Sequence, residues 1–218
     1  MIIVRNSMRP RFFISLALAL CLTATGVFAS DHKMPVPKDA STYPSYDSHS
    51  NEHVVIAAIP YDTKKMGKIF RVHYTENNFM PIYIVVTNNG DKTISLDQAR
   101  IDFIDAAGDR IPAAQPEDVE RRMTHITGPG KMIPLPEPLP PIRRKPHSPD
   151  KKIEADFNQF EYSAITVPPH STRAGFLFYD MQGLGHTPLK GASLVLRDLR
   201  TASGQELFYF QIPLDKYL

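Results

Sequence analysis

The chain has 218 residues with 25 basic and 23 acidic side chains, 20 prolines, one cysteine and no tryptophan. This near-neutral balance gives no global electrostatic case for nucleic acid, and one cysteine excludes an intrachain disulfide framework. Abundant proline without tryptophan fits strands and loops better than helices, and a domain of this size buries roughly 70% of its unfolded surface without covalent staples.

The N-terminus carries Arg5, Arg9 and Arg11 and no acid before Asp31. An apolar run follows from Phe12 to Leu22, then a weaker stretch ending Val27-Phe28-Ala29. Basic, apolar and small-residue regions in this order predict a cleavable secretory signal peptide over 1–29, cut after Ala29. Met8 is an alternative start. The competing reading is an uncleaved anchor, but Thr23, Thr25 and Gly26 interrupt a segment that should be about 20 residues of mostly apolar sequence. Leu20 precedes Cys21, where a lipidation site wants a small residue. Removal of residues 1–29 leaves 22 basic against 23 acidic groups and no thiol. The expected product is exported, periplasmic or extracellular, with no stable membrane span, disulfide or thiolate metal site.

Residues 30–52 are rich in proline, serine and charge, and predict a disordered spacer. Order is expected from His53. Val54 to Ile59 predicts a first strand stopped by Pro60, and residues 61–70 a connection with one helical turn. Pro81 to Thr87 is a β-branched run apolar on both faces, the mark of a covered central strand, closed by the Asn89-Gly90 turn. Short strands follow at 93–96 and at 99–105, where Ile101 and Phe103 alternate with Arg100 and Asp102. Residues 115–123 place Pro116 and acids first and arginines last, predicting a short helix. Eight prolines within 128–152 predict a long basic loop. Further strands are expected at 164–167, 175–179, 192–197 and 206–212, with Phe208, Phe210 and Ile212 sharing one face of the last. Seven to eight short strands and one inserted helix over 53–218 predict an all-β sandwich, with a barrel as the alternative.

Few patterns carry chemistry. His49-Ser50-Asn51-Glu52-His53 matches the reversed zinc-peptidase signature HxxEH, but that chemistry needs a helix, and this stretch runs into a strand. Met123, His125, Met181 and His186 offer soft ligands for copper(I), although no spacing demands a site. His73 and His170 read as loop residues. Gly183-Leu184-Gly185 lacks the setting of a dinucleotide loop, Asp102, Asp105 and Asp109 lack calcium-loop spacing, and no GxSxG occurs. Pro138 to Arg143 fits PxxPxR within a polyproline-favouring run. Pro138, Pro141, Arg143, Arg144 and Lys145 therefore form a candidate partner-docking loop, with Lys151 and Lys152 extending its basic character.

The motifs PIYIVVTNNGDKTISL, ARIDFIDAAGDRI and VPPHSTRAGFLFYD resemble the strand-turn elements of exported bacterial immunoglobulin-like domains. With PYD at 60–62, PEDVERR, PLKGA and the terminal ELFYFQIPLDKYL, the chain is similar over 54–218 to a family of uncharacterised secreted proteins of acidobacterial type. That resemblance implies an immunoglobulin-like sandwich and transfers no functional residue. The expected function is a non-catalytic, cofactor-free binding or structural module of the cell envelope, engaging an unidentified protein or envelope component. Its edge strands or Tyr217-Leu218 could dock onto an assembly. The alternative is a copper- or zinc-handling protein, or a metal-dependent hydrolase using the histidines.

Overall fold

The computed structural model describes residues 32–126 and 150–218. The described residues form eleven strands in three antiparallel sheets, with two α-helices. The strands are β1 (Tyr46–His49), β2 (Val54–Pro60), β3 (Phe79–Asn88), β4 (Ile94–Ser95), β5 (Arg100–Ile104), β6 (Arg110–Pro112), β7 (Thr166–Val167), β8 (Ser171–Asp180), β9 (Ser193–Arg197), β10 (Arg200–Thr201) and β11 (Phe210–Pro213). The helices are α1 (Pro116–Ile126) and α2 (Lys151–Phe160). One sheet has the order β1-β2-β3-β8 and a second the order β11-β9-β5-β6, while β10-β4-β7 form a small third. The chain is all-β in character. β1, β6 and β10 raise the strand number above the expected seven to eight; each is short and lacks an apolar run.

Every residue of β2 and β3 is buried. Side chains alternate between faces with a period of two, so Val54, Ile56, Ile82 and Ile84 join Phe103, Leu194, Leu196, Phe210 and Ile212 in one core. That core lies between the two four-stranded sheets. Val55, Ala57, Tyr83 and Val85 face the other way, into a second core with Phe70, Tyr74, Phe157, Phe160, Phe176 and Phe178. Helix α2 supplies Ile153, Phe157 and Phe160 to this layer, a stripe at helical spacing. The sheet is therefore covered on both faces, which is why its strands read as unbroken apolar runs. Phe70 lies edge-on to Phe160 at 5.2 Å and to Phe176 at 5.0 Å. Such pairs add about 0.5–1.5 kcal/mol each beyond the area they bury.

Helix α2 was not expected. Asp150 caps it by accepting from the Lys152 N–H, and its third and fourth apolar positions end at Phe160. Asp156 lies on the same buried face. Its oxygens accept from the Arg71 backbone N–H at 2.9 Å, from Arg71 Nη1 at 2.9 Å and from Tyr74 OH at 3.3 Å. Burial raises the Asp156 carboxyl above its ordinary range, outweighing the hydrogen bonds and charge of Arg71 that act to lower it.

The expected spacer is also corrected. From His32 onward its residues pack on the domain: Tyr83 OH donates to Pro35 O at 3.0 Å, Ala40 N–H donates to Thr87 Oγ1 at 2.9 Å, and β1 pairs with β2. Backbone bonds and a few small buried residues hold this segment, so its shortage of aliphatic side chains is no guide to its order. The far edge of the first sheet, β8, is covered as well. Ala114 N–H donates to Phe178 O, and Tyr162 N–H donates to Phe176 O.

Candidate functional site

The free edges of the two main sheets meet where β1 lies beside β11, and side chains rather than a backbone ladder close the seam. Asp47 Oδ2 accepts from Gln211 N–H at 2.9 Å, and Glu52 Oε1 accepts from Phe208 N–H at 2.8 Å. Ser45 Oγ donates to Pro213 O. The two acids thus occupy N–H groups that an exposed strand edge would otherwise offer to another chain.

His49 sits between these acids. Its Nδ1 lies 2.9 Å from Glu52 Oε2 and its Nε2 lies 3.5 Å from Asp47 Oδ2. The imidazole stacks on Phe210 with centroids 4.1 Å apart and meets Phe208 edge-on at 6.4 Å. A tight hairpin creates this arrangement: β1 ends at His49, the chain turns, and His53 takes a positive φ of 56° before β2 starts at Val54. The HxxEH pattern therefore lies on a hairpin rather than a helix. The carboxylates of Asp47 and Glu52 address opposite nitrogens of the His49 ring, so they do not converge on a common point with it. Among the described residues no three His, Cys, Asp or Glu side chains converge as metal ligands.

Outside the seam is an open cleft of about 680 Å³. Asp47, His49, Glu52, Gln205, Phe208 and Tyr209 are among its lining residues. Phe208 is 76% exposed and Tyr209 58% exposed, on a chain segment fixed by the Glu52 bond and by β11. Aromatic side chains are enriched among the residues that anchor protein interfaces. Phe208 was expected to share one strand face with Phe210 and Ile212; those two are fully buried, but the strand begins only at Phe210 and Phe208 lies outside it. The run Phe208-Tyr209-Phe210 itself held a usable signal, because one inward face cannot accept three successive aromatic residues.

The other candidates are dispersed. Met181 and His186 line a common cavity of about 300 Å³ together with Met80. Met123 packs against the second core, on the opposite side of the first sheet, and the His125 side chain is outside the described residues. His170 Nε2 lies 3.0 Å from Asp91 on the surface, and His73 accepts at its carbonyl from Asn77. Gly183 and Gly185 stand in a loop after β8. Lys151 and Lys152 begin α2, whereas Pro138, Pro141, Arg143, Arg144 and Lys145 lie outside the described residues. No described helix is long and apolar enough to cross a membrane. Compared with protein-family models, curated proteins and solved structures, the chain matches none.

Proposed function

We propose that this protein is an exported, non-catalytic binding or structural module of the cell envelope, built on an immunoglobulin-like sandwich, that meets its partner at the β1–β11 edge. The observation that carries this reading is the exposure of Phe208 and Tyr209 beside a seam whose backbone donors are already occupied. Strand addition is blocked at those donors, so recognition there proceeds through side chains. The N-terminal basic and apolar pattern supports export. The docking loop with Pro138, Pro141, Arg143, Arg144 and Lys145 is a second contact in the same proposal.

Capture from an envelope fraction tests the surface, using the wild-type chain, the Phe208→Ser/Tyr209→Ser double variant and a chain lacking residues 128–149. Loss of two aromatic anchors costs about 2 kcal/mol or more, or roughly thirtyfold in affinity. Wild-type recovery by the double variant refutes the edge as the contact, and wild-type recovery after the deletion removes the loop. Mass analysis of the exported form should give an N-terminus at Ser30.

A further inference from the structure

We propose that Met80, Met181 and His186 form a binding site for copper(I). This goes beyond the partner-binding reading and is independent of it, since the site lies in a different cavity from the β1–β11 cleft.

The sheet register sets the two methionines beside each other at the end of neighbouring strands. Met80 pairs with Tyr179 across β3 and β8, and Met181 N–H extends the ladder by donating to Asn78 O at 2.8 Å. Met80 and Met181 are therefore diagonal cross-strand neighbours, and both belong to the core cluster on the same face of the sheet. Diagonal neighbours stand about 7–8 Å apart at their backbones, a span that two long flexible side chains can close. Both residues are almost buried, yet both line the cavity.

The third ligand comes from the loop after β8. Leu184 N–H donates to Met181 O at 3.1 Å, and Gly183 with φ of 91° permits the turn that folds the loop back over the strand end. His186 follows and lines the same cavity. No described residue hydrogen-bonds or ion-pairs with its imidazole. A thioether pair with one imidazole is a soft donor set, suited to copper(I) rather than to magnesium or calcium. Asp62 at the same cavity adds an anionic group to receive a cation. Binding involves no change of oxidation state, so the site needs no electron donor beyond the reduced ion supplied.

The test is an anaerobic copper(I) titration against the chromogenic chelator bicinchoninate. Every protein carries Cys21→Ser so that the signal-region thiol does not compete. The unmodified cavity should take one equivalent from the chelator, and X-ray absorption should report sulfur and nitrogen neighbours. Met181→Leu keeps the shape of the side chain, and His186→Ala alters an exposed loop residue, so neither should disturb folding. Each should weaken binding by about tenfold or more, while Met66→Leu, which lies in the other core, should not. Failure to withdraw copper from the chelator overturns the proposal, as does equal affinity in Met181→Leu, His186→Ala and the parent.

Discussion

Replacing Asp156 by alanine removes a fully buried carboxylate that holds the segment 71–74 against α2. Four donors lose their acceptor: the Arg71 N–H, the Val72 N–H at 3.3 Å, the Arg71 guanidinium at 2.9 Å and the Tyr74 OH at 3.3 Å. Breaking a buried ion pair by removing one partner costs about 3–5 kcal/mol. The lower end applies here, because the Arg71 side chain is 28% exposed and keeps its 2.7 Å bond to Gln159 Oε1. A loss of about 3 kcal/mol corresponds to a fall of about 6–12 °C in Tm for a domain of this size. Urea unfolding should show a lower midpoint at an unchanged slope. Asp156→Asn retains an acceptor and should lose less.

The pH dependence of that smaller deficit carries a sign. Burial raises the folded-state pKa of Asp156 above its unfolded value, so folding binds this proton more tightly. The stabilisation is full below the ordinary carboxylate pKa and declines as pH rises through the raised folded value. The deficit of Asp156→Asn should therefore shrink from about pH 4 toward neutrality. An alanine variant within about 1 kcal/mol of wild type, or an asparagine deficit that grows with pH, refutes the reasoning.

Other substitutions probe other contacts. A Cβ at Gly175 would lie 2.3 Å from Tyr162 Cα, so Gly175→Ala must displace backbone and should cost about 1–3 kcal/mol in urea unfolding. Phe176→Ala opens the aromatic layer between β8 and α2 and should cost about 3–5 kcal/mol by the same assay. Glu52→Ala frees the Phe208 N–H, and Asp47→Ala the Gln211 N–H. Hydrogen exchange should quicken at the freed amide in each case, with losses of about 1.5–3 kcal/mol at most for these charged acceptors. Unchanged exchange at both amides would mean that the acids do not hold the seam.

The legible parts of the fold are those fixed by local pattern. β3 announces itself through its β-branched run and Asn-Gly turn, and α1 through Pro116, Glu117 and Asp118 at its start. β1 was hidden because Tyr-Asp-Ser-His has no apolar face; it is a strand only because β2 offers it a backbone to pair with. α2 was hidden by the adjoining proline-rich run, although Asp150 as cap and the stripe Ile153, Phe157 and Phe160 follow the usual helical rules. The β1–β11 edge depends on a contact between Glu52 and Phe208, 156 residues apart, and no local pattern reports that register. The diagonal placement of Met80 and Met181 is equally non-local, since it follows from β3 and β8 being neighbours. The copper ligands suggested by residue type alone were accordingly split, Met181 and His186 to one cavity and Met123 to the opposite face.

Photo-crosslinking from position 208 reads out a partner at the β1–β11 edge. A benzophenone side chain there, in the full chain expressed in its own envelope, should yield a discrete adduct with one partner. The same probe at Ile165, which is 63% exposed and lies outside the cleft, should yield none. No adduct from position 208, or the same adducts from both positions, would contradict the account.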